Sequence, residues 1–231
     1  MKIKTYLTLL ALALTSLFVL GSCDVEDSAD VNQNKIYAVY EAFYNHNTDK
    51  TWVVARFRFG GPTGTLLELN DPAEVTFDGD KLGWNPLFFG HFKEYAGRIS
   101  QGTFSYTNVD GDVFNNDLQP TDSIAFQDSF TTLRKGQANS IVWEGPLLGP
   151  DQRVGVFVGS WAWGQDALAL QTTEGSNDIV LGIQQMENVT EGNAICYMDR
   201  TTEIPVQEGT GEGGVIRATF RAKNKNIEVV N

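Results

Sequence analysis

Histidine and cysteine are scarce in this chain. It has two of each in 231 residues: His46, His91, Cys23 and Cys196. A zinc centre needs three or four Cys, His or acidic ligands, so a structural zinc site is not expected. A hydrolytic triad would set one histidine beside a Ser or Cys and an acid. No Gly-x-Ser-x-Gly or His-Glu-x-x-His pattern supports one. His46 sits in Asn45-His46-Asn47-Thr48-Asp49, the makings of a hairpin tip. His91 lies among aromatics in Phe88-Phe89-Gly90-His91-Phe92. Both are read as structural. Basic charge is also short, with 17 Lys and Arg against 29 Asp and Glu and a formal net charge of −12. That sign argues against nucleic acid, and against anionic lipid bound by broad electrostatics. Helical periodicity is nearly absent.

The one long apolar stretch opens the chain. Lys2 and Lys4 precede Tyr6–Leu20, about fifteen residues. A helix crossing a bilayer needs roughly 20, so this is short for a permanent span. A charged start, a short apolar core and small residues before a cut describe a secretory signal. The stretch ends in Leu20-Gly21-Ser22-Cys23, followed by Asp24-Val25-Glu26-Asp27. This layout resembles the lipobox of bacterial lipoproteins. The resemblance implies cleavage between Ser22 and Cys23, and lipidation of Cys23 through its thiolate. At roughly 0.8 kcal/mol per buried methylene, two or three acyl chains give a stable anchor. The acids Asp24, Glu26, Asp27 and Asp30 resemble the export signal of Bacteroidota-type surface lipoproteins. That implies an outer-membrane protein facing outward.

Loss of residues 1–22 removes Lys2 and Lys4 and no acid, so the net charge of −12 becomes −14. Residues 23–34 are polar with no apolar period, and are read as the lipidated N-terminus with a flexible acidic tether. With Cys23 committed to lipid, Cys196 has no partner and no intramolecular disulfide is expected. Its setting, Ala194-Ile195-Cys196-Tyr197-Met198, suits a small buried hydrophobe.

The rest alternates with period two. In Thr51–Phe59, Val53, Ala55, Phe57 and Phe59 share one side, and Trp52, Val54, Arg56 and Arg58 the other. This marks a half-buried antiparallel strand. Similar runs cover Glu74–Phe77, Gly102–Tyr106, Ser140–Glu144, Arg153–Val158, Asp178–Ile183, Asn193–Met198 and Val215–Arg221. Asp78-Gly79-Asp80 and Asp110-Gly111-Asp112 read as hairpin turns. Gly60-Gly61-Pro62, Gly145-Pro146 and Gly149-Pro150 are further breaks. Glu208–Gly214 is too rich in glycine for a strand and is read as a mobile loop. Short strands at this spacing suggest β-sandwich domains.

A boundary near Asn116–Pro120 gives domain 1 over residues 35–118 and domain 2 over 119–231. Several stretches resemble the tandem immunoglobulin-like modules of surface lipoproteins. They include Ala55-Arg56-Phe57-Arg58-Phe59-Gly60-Gly61, Phe77-Asp78-Gly79, Phe104-Ser105-Tyr106-Thr107-Asn108 and Ser140-Ile141-Val142-Trp143-Glu144-Gly145. The closing Gly214–Phe220 strand belongs with them. The resemblance implies an all-β chain of two tandem immunoglobulin-like β-sandwich domains. It speaks to fold rather than to function.

Candidate sites are few. Asn108, Asp110, Asp112, Asn115, Asn116 and Asp117 crowd oxygen ligands of the kind calcium takes. The spacing departs from an EF-hand loop, and a polar hairpin turn explains it without metal. Trp161, Trp163 and Trp84, with Asp166 beside the first pair, could stack on and hydrogen-bond a sugar. The alternative, weighed more heavily, is that these rings pack in the core or between domains. Paired carboxylates of a glycosidase can be drawn anywhere among 29 acids, so they carry no signal. The expectation is a non-enzymatic lipid-anchored protein with a binding, adhesion or envelope-assembly role. Its partners would be the membrane through Cys23 and a glycan or another envelope protein. No cofactor is expected. The alternatives are a carbohydrate-binding accessory protein or carbohydrate-active enzyme, and a structural spacer presenting a partner protein.

Overall fold

The computed structural model describes residues 25–159 and 164–231. Ser22, Cys23, Trp161 and Trp163 lie outside the described residues. The strands of the first half are β1 (Val25–Asp27), β2 (Ile36–Asn45), β3 (Lys50–Phe59), β4 (Thr65–Glu68) and β5 (Glu74–Phe77). They continue with β6 (Asp80–Lys81), β7 (Gly83–Asn85), β8 (Gly90–Ala96), β9 (Thr103–Thr107) and β10 (Val113–Asp117). Next come β11 (Ala125–Phe126), β12 (Thr132–Arg134), β13 (Asn139–Glu144), β14 (Gln152–Gly159) and β15 (Ala167–Gln171). The last are β16 (Asp178–Leu181), β17 (Gly192–Pro205), β18 (Gly214–Arg221) and β19 (Lys225–Val230). Helix among the described residues is limited to single 3-10 turns at Ser28–Asp30 and Gln33–Lys35 and one α-turn at Ile183–Met186. The protein is all-β, as its periodicity implies.

One wide sheet organises the molecule, in the order β1-β4-β3-β2-β18-β17-β14-β15. At its middle, β2 and β18 pair in parallel from Ala38↔Gly214 to Asn45↔Arg221. A strand near the start of the chain is thereby joined to one near its end. Side chains alternate across each strand, so one face of the sheet is fixed as core. That face carries two cores side by side. The first gathers Tyr40, Phe57, Leu67, Val75, Phe77, Phe104 and Tyr106 under the small sheet β10-β9-β5-β6. The second gathers Val154, Val156, Val158, Cys196 and Met198 under β11-β13-β16, which adds Ile141, Trp143, Ile179 and Leu181. Residues from both halves cross over: Ile216 and Ala218 enter the first core, and Tyr44 enters the second.

Local chemistry sets the turns. Phe77 pairs with Asp80, leaving Asp78 and Gly79 as a two-residue loop with φ of 50° and 82°. Positive φ at both positions matches the twist of a hairpin, and Asp-Gly tolerates it. Of the glycine-rich Glu208–Gly214, residues 208–213 form a loop and Gly214 opens β18; the loop is tied at several points. Thr210 donates to the Ile36 carbonyl at 2.6 Å, and Gly211 N–H donates to Asn34 Oδ1 at 2.8 Å.

The segment expected to be a flexible tether is folded from Val25 onward. β1 pairs in parallel with β4, Val25 opposite Leu66. Asp27 accepts from Ala29 N–H at 2.8 Å and from Asn70 Nδ2 at 2.7 Å. Ser28 is fully buried. The pairing comes from the open edge of β4, whose backbone groups accept a strand whatever its side chains. A polar sequence without apolar period gives no sign of this.

Candidate functional site

The outer face of the wide sheet, away from both cores, carries the candidate site. At its β4 edge is a groove of about 680 Å³ lined by Arg56, Arg58, Thr63, Gly64, Thr65, Leu66, Leu87, Phe88 and Phe89. Alternation along β3 puts Arg56 and Arg58 on this face, opposite Ala55 and Phe57, and Leu66 lies beside Arg58 in register. The floor is therefore two guanidiniums and an apolar side chain.

The wall opposite β4 is the turn between β7 and β8. Asn85 builds it, its Oδ1 accepting from Leu87 N–H at 3.0 Å and its carbonyl from Phe88 N–H at 3.1 Å. Phe88 stacks on Phe92 at 4.0 Å between centroids and meets Trp52 edge-on at 5.5 Å. The turn is thus pinned to the sheet through Phe88. Gly90 follows it, and a Cβ there would lie 2.8 Å from both the Ala55 carbonyl and Arg56 Cγ. The missing Cβ lets the Arg56 stem cross β8 and donate from Nε to the Phe88 carbonyl at 3.0 Å. Phe89 holds a φ of 48°, uncommon for a bulky residue, at a cost of about 1 kcal/mol or more. Leu87 at the tip is 86% exposed and Phe89 52% exposed.

The two arginines differ. Arg56 pairs with Glu41 at 2.9 Å. Arg58 donates to the Gly64 carbonyl at 2.9 Å and has no carboxylate within ion-pair distance among the described residues. A guanidinium presents five donors in a fork, and only one of those on Arg58 has a protein acceptor among the described residues. Three other outer-face arginines, on β14 and β18, are engaged. Arg153, at 3.1 Å, and Arg217 both donate to Glu203. Burial pushes the Glu203 carboxyl up, but the bonds from the two arginines outweigh it and hold it below its usual range. Arg221 grips Asp199 with two bonds of 2.7 and 2.6 Å and lies over the Phe43 and Tyr197 rings.

The residues singled out from sequence are not brought together. Trp84, on β7, is half-buried and turns toward His91, with ring centroids 5.4 Å apart; it does not line the groove. Asp166 precedes β15 at the opposite edge of the wide sheet. Its carboxylate fills the space a side chain on Gly159 would take. Trp161 and Trp163 lie outside the described residues.

The oxygen cluster near Asp110 is largely engaged by protein donors. Asn108 Oδ1 accepts from Asp110 and Asp112 N–H at 3.0 and 2.8 Å. Asn116, fully buried, accepts from Gln207 and Glu208 N–H at 2.9 and 3.1 Å. Asn115 and Asp117 accept from Ser105 and Thr103 hydroxyls. Among the described residues no group of three or more His, Cys, Asp or Glu side chains converges as metal ligands would.

Both histidines hold structural positions. His46 is at the exposed β2–β3 tip, 5.7 Å from the Phe220 ring. His91 is buried. Its Nε2 accepts from Leu69 N–H at 3.1 Å, which leaves Nδ1–H to face the Leu82 carbonyl at 3.3 Å. Burial pulls its pKa down to about 4, against the pull of the Leu82 carbonyl. Cys196 is a buried free thiol, pushed up to about 12 by burial.

Alternation in the sequence puts Arg56 and Arg58 on the same side of their strand, and Phe88-Phe89 stands in the sequence only as part of an aromatic cluster around His91. That the Phe88-Phe89 turn closes the groove against the two arginines is set by the fold and has no signal in the sequence. No protein-family model matches the chain and no curated protein matches it, so the groove is interpreted from its own residues.

Proposed function

We propose that this chain is a lipid-anchored binding protein of the outer membrane, held through Cys23, facing outward and without catalytic activity. In this proposal its two cores correspond to two immunoglobulin-like sandwich modules fused through β2 and β18. The binding site is the groove beneath Leu87 and Phe89. The carrying observation is Arg58, a guanidinium without an acidic partner, set beside apolar walls in a chain of net charge −12. Such a floor fits a ligand with an acidic group next to an apolar surface. A carboxylate, sulfate or phosphate takes the planar fork in two parallel hydrogen bonds. Thr63 and Thr65 add hydroxyls at the rim, and Leu66, Leu87 and Phe89 cover the apolar part. The lining residues include no carboxylate, imidazole or thiol to act as general acid, base or nucleophile, which supports binding over chemistry.

The test is a screen of acidic and neutral glycans and of short-chain acyl phosphates against the soluble Cys23→Ser chain. Acidic ligands are expected to bind, and Arg58→Ala is expected to weaken them at least tenfold with the fold intact by circular dichroism. Binding of neutral ligands only, or binding indifferent to Arg58→Ala, contradicts the proposal.

A further inference from the structure

We infer that the groove faces the membrane holding the anchor, with Leu87 and Phe89 entering the lipid headgroup layer and Arg58 meeting a lipid phosphate. This rests on the lipid anchor proposed above and names the source of the groove's acidic ligand.

Chain geometry carries the inference. Val25 is paired with Leu66, which forms part of the groove floor. Cys23 precedes Val25 by two residues, and two residues reach at most about 7 Å. An acyl chain on Cys23 therefore enters the bilayer close to the strand bordering the groove. No leash intervenes to carry the body away. Asp27 is held by Asn70, and Gln33 Nε2 donates to the carbonyls of Ser28 at 2.6 Å and Val31 at 2.9 Å. The Lys35 carbonyl accepts from Gly60 N–H at 2.9 Å, fastening the end of the segment to the β3–β4 loop.

The surface at this edge suits a lipid interface. Leu87, Phe89 and Val25 are exposed at 86%, 52% and 39%. Phe89 sits in a left-handed backbone conformation within a turn pinned by Phe88 and Asn85, so the two apolar side chains are held outward by structure. Broad attraction to anionic lipid is excluded by the acidic charge of the chain, and Glu26 and Asp27 of β1 lie nearby. Contact comes from the anchor and from insertion, with one guanidinium serving one phosphate. The opposite edge provides a control. Leu168 on β15 is 65% exposed, yet about six strand spacings from β8, roughly 28 Å.

The experiment uses the full lipidated chain in vesicles of phosphatidylethanolamine and phosphatidylglycerol, with a nitroxide on Leu87→Cys or Leu168→Cys. Cys23 is consumed by lipid and Cys196 is buried, so labelling is selective. Relaxation by oxygen and by a water-soluble nickel complex reads depth. The Leu87 label is expected at the headgroup–acyl boundary and the Leu168 label in water. Arg58→Ala is expected to raise water access at Leu87 severalfold while the protein stays with the vesicles. A Leu87 label as wet as the Leu168 label on anchored protein overturns the inference and leaves the anchor standing. Protein that leaves the vesicles with Cys23 intact overturns both. A Leu87 label equally shielded without vesicles assigns the turn to a second copy and also overturns it.

Discussion

The two faces of the wide sheet are built from the same strands and do opposite work. On the core face, β3 contributes Val53, Ala55 and Phe57, which are fully buried. On the outer face the same strand contributes Trp52, Arg56 and Arg58, all partly exposed. The core face is aromatic and aliphatic and holds the fold together. The outer face is laced with ion pairs and rings that leave charge and apolar surface within reach of a partner. Residues that hold the core and residues that line the proposed binding groove are thus separated by one residue of register. Substitutions one position apart on a strand should have very different consequences.

The largest expected effect is on the core face. Phe57 packs against Tyr106 with ring centroids 4.5 Å apart and planes tilted by 38°, and lies edge-on to Tyr40 at 6.1 Å. Phe57→Ala should cost about 4 kcal/mol in urea unfolding, as a large core truncation leaves a cavity. Next is Arg200, a fully buried guanidinium on the core face of β17. It donates to the Pro146 and Leu147 carbonyls, both at 2.8 Å, and to Gln152 Oε1. Arg200→Met takes the guanidinium donor from the Leu147 carbonyl, removes one of two donors from the Pro146 carbonyl and Gln152 Oε1, which keep Trp143 Nε1 and Gly149 N–H, and breaks a 3.4 Å ion pair with Asp122; it should cost about 3 kcal/mol. A loss below 1 kcal/mol would show the network to be dispensable.

His91 makes the core face sensitive to acid. Its pKa lies near 4 in the fold against an ordinary 6.5, because burial disfavours the charged ring. The contribution is complete above pH 6.5. It falls as pH drops toward 4, since only the unfolded chain takes up the proton in that window. The loss should approach about 3 kcal/mol at pH 4. Urea midpoints across this range should flatten in His91→Gln, and an equally steep decline in that variant would contradict the assignment.

The outer face should respond weakly in stability. Phe43 stacks on Trp52 at 5.7 Å and lies under Arg221, but it is only partly buried. Phe43→Ala should cost about 1 kcal/mol. Arg58→Ala loses one hydrogen bond, to the Gly64 carbonyl, and should cost about 0.5 kcal/mol. That same change is expected to abolish most ligand affinity. A destabilisation comparable to Phe57→Ala would erase the distinction between the faces.

Much of the strand content is legible in the sequence, because a half-buried strand writes its burial in period two. Thr51–Phe59, Glu74–Phe77 and Val215–Arg221 can be read that way, and Asp78-Gly79 marks its own hairpin. Strand order cannot. β2 and β18 each alternate, but nothing in either names the other as its parallel neighbour across more than 170 residues. Arg200 stands at a core-facing position in the series Ala194, Cys196, Met198, and its charge hides that placement. β1 is invisible because it joins the edge of β4 through backbone pairing and polar side-chain bonds such as Asp27 to Asn70, neither of which leaves an apolar period. The groove was half legible: Arg56 and Arg58 alternate plainly, and Phe88-Phe89 stands out, but only the fold brings the turn over the arginines.

Membrane attachment through Cys23, two residues before the strand that borders the groove, is the premise shared by the proposed role and the proposed orientation of the groove. Mass spectrometry of the N-terminal peptide from membrane-derived protein tests this most directly. The prediction is a chain beginning at Cys23 and carrying acyl chains on that residue. A chain beginning elsewhere, or an unmodified Cys23 on protein recovered from membranes, would contradict it.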